Sequence, residues 1–133
     1  MKLFYFHDPV GNFGDDMNTW IWDALLPGWR EWRDDTTLIG IGTILNTQLE
    51  LPEGRKLVMG SGTGYGHVPD LTPADMWDVR AVRGPLSAER LGLPERLGIV
   101  DPAMMLPRLE EFADCETTHQ PPVLDPHYSN ATR

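Results

Sequence analysis

Residues Lys2 to Leu26 read KLFYFHDPVGNFGDDMNTWIWDALL. An apolar run, Leu3 to Phe6, is followed by a turn-rich segment, Asp8 to Asn18, and then by a Trp- and Leu-rich run ending at Pro27-Gly28. That order predicts a strand, a glycine-bearing loop and a helix. The run without polar interruptions suits a strand buried on both faces. Gly11 and Gly14 allow backbone angles closed to other residues, so the loop can turn tightly and let a ligand approach the main chain. Asp15 or Asp16 can cap the helix by accepting from its orphan N–H groups. The helix would run from Met17 to Leu26 and turn Met17, Trp20, Ile21, Ala24 and Leu25 toward the core. In a parallel α/β sheet such a loop lies at the carboxyl end of its strand, where ligands of these folds bind.

Working outward, four further strands are expected at Thr37–Ile41, Lys56–Gly60, Asp78–Val82 and Gly98–Val100. Trp29 to Asp35 reads as a charged connector, Thr43 to Gln48 as a short helix, and Val68 to Trp77 as mostly loop. Pro85 opens a helix that Gly92 ends, and a short helix follows from Ala103 to about Leu106. Strands alternating with helices define an α/β protein with a parallel sheet. The expectation is a Rossmann-like, three-layer arrangement of about five strands over residues 1–106, with an order near 3-2-1-4-5 by analogy with doubly wound folds. Residues 107–133 read as a tail or as the start of a second lobe.

With 133 residues the chain is one domain by length, and 41% hydrophobic residues suffice for one core. The formal charge of −9 and the lack of a basic stripe exclude a nucleic-acid surface. The single cysteine, Cys115, permits no intrachain disulfide and lies between carboxylates that disfavour a thiolate. The opening apolar run is too short for a signal peptide, and no stretch approaches the roughly 20 apolar residues of a membrane span. A soluble cytoplasmic protein is the expectation.

Several polar residues fall where strands end. Asp15 and Asp16 together would repel an anion and suit sugar hydroxyls, a general base or a metal; the competing reading is a cap beside a solvated carboxylate. Arg83 stands where the fourth strand gives way to a helix, placed to grip carboxylate or phosphate, or else to pair with Asp15, Asp16 or Asp101. Asp101 can cap through the N–H of Ala103 or Met104, or face the same cleft. The run GSGTGYG, Gly60 to Gly66, is either a ligand loop or a flexible crossover. His7, His67, His119 and His127 are too scattered for a spacing-based metal site.

Taken together, DPVGNFGDDMN, LIGIGTIL, VMGSGTGYG, VRAVRGPLSAERLGL and IVDPAMML resemble the first half of the polysaccharide pyruvyl transferase family, over about Lys2 to Leu106. Within that family the chain is most similar to bacterial exopolysaccharide members. The resemblance implies one lobe of a two-lobed, glycosyltransferase-like fold. It further implies transfer from phosphoenolpyruvate to two hydroxyls of a hexose on a lipid-linked or polymeric saccharide, with no cofactor and no metal. By it, Asn12, Gly14, Asp15, Asn18, Arg83 and Asp101 would contact substrate. Asp15 or Asp16 would be the general base and His127 a general acid. Asp125 to Ser129 looks like the segment opening the family's second lobe, which another chain or a second copy would then have to supply. Two further readings stand beside this one: a non-catalytic saccharide-binding lobe, and a nucleotide-binding module built on GSGTGYG.

Overall fold

The structure, a computed structural model, describes residues 1–33 and 35–113. Four segments pair in parallel: Lys2–Phe4 (β1), Thr36–Ile39 (β2), Arg55–Ser61 (β3) and Trp77–Val82 (β4). Neighbouring side chains of a strand point to opposite faces, and the register turns that rule into two apolar layers. Leu3 aligns with Leu38 and Leu38 with Leu57; one residue on, Phe4 aligns with Ile39 and Ile39 with Val58. The leucines join a core with Met17, Ile21, Trp22, Trp29 and Leu109, whereas Phe4, Ile39 and Val58 join one with Ile44, Leu45, Val82 and Ala88. Apolar burial on both faces is what an all-parallel sheet requires.

The covering segments are short. Phe13–Asp16 (α1) runs into a 3-10 turn at Met17–Thr19, and Ile21–Leu25 (α2) follows after a break at Trp20, whose φ is −133°. The single helix expected over Met17 to Leu26 is therefore divided. The break shifts the helical phase, so Trp22 enters the core in place of Trp20 and Ala24. Trp29–Trp32 (α3) is helical rather than a plain connector, with Trp29 buried and its indole N–H donating to Asp23 at 2.8 Å. Pro85–Arg90 (α4) begins with Pro85 in its first turn, after Gly84 at φ +116°. Beyond Leu106, Leu109 is buried in the first core, and Phe112 of Glu110–Ala113 (α5) stacks on Trp20 at 5.7 Å.

The strand order is β1-β2-β3-β4, not 3-2-1-4-5. β1 has three residues and pairs on one side only, with Lys2 exposed and Tyr5 and Phe6 beyond the ladder, so it is an edge strand. Each connection delivers its strand to the adjacent open edge, the commoner arrangement of consecutive strands. The expected fifth strand reduces to a single parallel bridge between Gly98 and Val82. There the chain passes so close to the β4–α4 turn that a Cβ on Gly98 would lie 2.7 Å from Pro85 Cα. The segment Thr43 to Gln48 is a turn, not a helix: the Asn46 side chain donates to Thr43 O and accepts from the N–H groups of Gln48 and Leu49.

Leu38 is 0% exposed and sits between Leu3 and Leu57 in the register. Leu38→Ala should destabilise the protein by about 2–5 kcal/mol in urea titration, because the flanking strands cannot collapse into the space.

Candidate functional site

The carboxyl ends of all four strands open on one rim. In the first loop Asp8 holds a turn, its carboxylate accepting from Val10 N at 2.9 Å, and Gly11 follows at φ +86°. Asn12, not Asp15 or Asp16, caps α1: its side-chain oxygen accepts from Gly14 N at 2.9 Å and Asp15 N at 3.3 Å. Gly14 makes room for this, since a Cβ there would lie 3.3 Å from that oxygen. Asp16 reciprocates by accepting from Asn12 N at 3.2 Å, a capping-box arrangement one position later than usual. The cap thus falls to the neutral amide, and Asp15 is left with its carboxylate against the second loop. A Cβ on Gly42 would stand 3.1 Å from Asp15 Oδ1.

Arg83, at the end of β4, reaches back over the end of β3. Its guanidinium donates to Thr43 Oγ1 and lies 3.8 Å from Asp101 Oδ2. Asp101 caps the 3-10 turn Pro102–Arg108 by accepting from Ala103 N at 2.9 Å, which leaves its other oxygen toward Arg83. Asp101 is therefore both cap and rim group. The glycines of GSGTGYG form the surface on which these neighbours lie. Hypothetical Cβ atoms would stand 2.1 Å from Pro102 at Gly60, 2.6 Å from Arg83 Nε at Gly62 and 2.6 Å from the Thr43 methyl at Gly64. Gly62 N donates to Gly42 O, and Thr63 N to Ser87 Oγ. Glycines whose open faces are filled by the chain's own side chains leave no room for a phosphate against Gly60, Gly62 or Gly64, which argues against the nucleotide reading. Among the described residues, Thr63 Oγ1 is the side-chain polar atom left buried without a partner.

The rim therefore carries one continuous series: Asp15 against Gly42, Thr43 bonded to Arg83, and Arg83 facing Asp101. Burial raises the Asp15 pKa, and the negative charges of Asp16 and Asp8 add to the rise; Arg83 is near enough to oppose it. A half-buried carboxyl with raised proton affinity, beside an arginine only loosely paired, is suited to exchanging a proton next to a bound anion.

Asn18 does not fit the role of substrate contact. It is 1% exposed, and its carboxamide is fully used inside the protein. Arg80 pairs with Asp78 on the surface, away from the rim. His127 and Cys115 lie outside the described residues. The sequence reading placed Gly62 in a possible ligand loop but singled out neither it nor Gly42 and Thr43 as neighbours of Arg83 and Asp15. The signal was present in the glycine–threonine ending of the second strand, but nothing in it says which partner arrives. A groove of about 570 Å³ opens at the opposite, amino-terminal ends of the strands, between Met1, Trp32, Thr36, Lys56 and Arg80. Its Arg33 and Arg80 each pair with a neighbouring carboxylate, and its Lys56 donates to Gly54 O and lies over the Trp77 ring.

These features define an α/β protein with a four-stranded parallel sheet and an acid–arginine series along its carboxyl rim. No model of a known protein family matches the chain, and no solved structure does. The chain is 47% identical over 131 residues to the succinoglycan biosynthesis protein ExoV of Rhizobium meliloti (strain 1021). The match takes in 98% of this chain and 41% of that protein, so the chain spans less than half of its relative's length. Among the described residues no helix is long and apolar enough to cross a membrane.

The raised Asp15 pKa has a sign. A carboxyl that holds its proton more tightly when folded penalises the ionised native state. The penalty is absent below the unfolded-state value and sets in as pH rises through the native value. Asp15→Asn should therefore raise the melting temperature at neutral pH, and the gain over wild type should vanish on acidification. A gain that is the same at every pH would remove the electrostatic account of the site.

Proposed function

We propose that this chain is part of a pyruvyl transferase that builds a pyruvate ketal on a sugar of a bacterial exopolysaccharide, with phosphoenolpyruvate as donor. The observation that carries the reading is the 47% identity to a succinoglycan biosynthesis protein over 98% of this chain. The motif set that resembles polysaccharide pyruvyl transferases supplies the chemistry, and the rim geometry supports it.

In the proposed reaction a proton is added at C3 of the donor and a sugar hydroxyl attacks C2. Phosphate leaves, and a second hydroxyl closes the ketal at the same carbon. The products are the ketal and inorganic phosphate. Asp15 takes the hydroxyl proton, burial and the neighbouring carboxylates making it a stronger base than an exposed aspartate. Asp16 is a weaker candidate because it is bonded to Asn12 N. Arg83 binds the donor carboxylate or phosphate, with Asp101 and Thr43 setting its direction. His127 remains the proposed acid toward C3. The acceptor is a saccharide, lipid-linked or polymeric, and the proposed setting is the cytoplasm. The proposed architecture is one Rossmann-like lobe of a two-lobed enzyme. Val10, Phe13, Tyr65, Leu86, Ile99 and Met104 are exposed around the rim, which supports a cleft that further protein covers, whether a second lobe or a second copy.

The exposed apolar residues around the rim also fit a second reading, a saccharide-binding lobe that does not turn over by itself. Incubation with phosphoenolpyruvate and an oligosaccharide at high protein concentration, with phosphate release and the ketal methyl resonance as readouts, separates the two. Glycan binding without either product would select the second reading, and neither binding nor turnover would remove both. In an active preparation Asp15→Asn should abolish turnover with the fold intact. Gly62→Ala, which sets a methyl 2.6 Å from Arg83 Nε, should raise KM for phosphoenolpyruvate several-fold.

A further inference from the structure

Asn18 is the most completely bonded side chain near the rim. Its Nδ2 donates to Asp15 O and to Ile41 O, each at 2.9 Å. Its Oδ1 accepts from Ile41 N at 2.7 Å and from Trp22 Nε1 at 3.0 Å. Gly40 leaves space for this, since a Cβ there would lie 2.2 Å from Asn18 Oδ1. One buried carboxamide thus joins the backbone that carries Asp15 to the backbone immediately before Gly42, against which the Asp15 carboxylate rests.

From this geometry we infer that Asn18 is a positioning residue: it sets the gap between the Asp15 carboxylate and the Gly42 loop. It touches no substrate and acts through Asp15. The inference deepens the proposed function, resting on Asp15 as the group that exchanges a proton. Its structural content, however, concerns the gap itself. The charged groups acting on Asp15 are Asp8 from the turn after β1, Asp16 from α1 and Arg83 from the end of β4. None of them is changed by substituting Asn18. Any movement of the Asp15 titration on that substitution therefore reports the gap and the water it admits.

The test is the carboxyl titration of Asp15 followed by NMR in wild type, Asn18→Ala and Trp22→Phe, with no substrate present. Asn18→Ala should lower the Asp15 midpoint toward the ordinary aspartate range, because both ties across the gap are lost. Trp22→Phe removes one bond to Asn18 but neither tie, so it should lower the melting temperature and leave the midpoint unmoved. A folded Asn18→Ala with an unchanged midpoint would overturn the inference. So would a Trp22→Phe midpoint that falls as far as that of Asn18→Ala. Should Asn18→Ala not fold, the wild-type spectrum decides. The Asn18 side-chain amide and the Ile41 amide should resist solvent exchange and shift with the Asp15 midpoint; fast exchange, or no shift, overturns it. An absence of ketal formation together with a midpoint that does respond to Asn18 would remove the transferase reading and leave this inference standing.

Discussion

A primary amide brings two N–H donors and an oxygen with two lone pairs. At Asn18 all four are occupied in a site 1% exposed to solvent. Leaving a buried polar group unpaired costs about 1–3 kcal/mol, so the four partners are held at one mutual geometry. Those partners belong to α1, α2 and the loop after β2. Once their spacing is set, Gly42 meets Asp15 and Thr43 presents its hydroxyl to Arg83. A second buried tie works in the same direction: Ser61 Oγ, at the end of β3, shares its one proton between the carbonyls of Ile39 and Gly40. The rim is thus organised by satisfied polar groups beneath it more than by the residues that face solvent.

The parallel α/β class was legible because Leu38-Ile39 and Leu57-Val58 each put an apolar residue on both faces, which only a covered sheet accommodates. The helix opening at Pro85 was legible for a local reason, proline in the first turn. Strand order was not, because the neighbours of β1 depend on how its crossover packs, and three residues carry too little pattern to tell an edge from a centre. The fifth strand failed on its flanks: Ile99 and Val100 look like strand residues but are exposed, since the chain turns away at Asp101-Pro102 after a single bridge. At the site, Asp15, Arg83 and Asp101 could be picked out as polar residues at strand ends. The division of labour in the first loop could not. Asn12 and Asp15 are both good caps by type, and the choice between them is made by Gly14, which admits the Asn12 oxygen.

The straight order β1-β2-β3-β4 also changes how a site can arise. In doubly wound sheets a crevice opens where the strand order reverses. No reversal is present among the described strands. The polar groups meet instead because segments from either side lean over the end of β3, whose alternating glycines accept Pro102, Arg83 and Thr43 in turn. Side chains on Gly60, Gly62 or Gly64 would lift those neighbours off the sheet, so a run that looks like a flexible linker is a close-contact surface.

The close passage of Gly98 by the β4–α4 turn limits the travel of Asp101. That contact pins the backbone at Gly98, and Asp101 follows three residues later. At about 3.3–3.6 Å per residue, a fully extended tether of that length spans roughly 10 Å. On the other side Asp101 is held by its bond from Ala103 N and by Pro102 against Gly60, so the carboxylate facing Arg83 is moored at both ends.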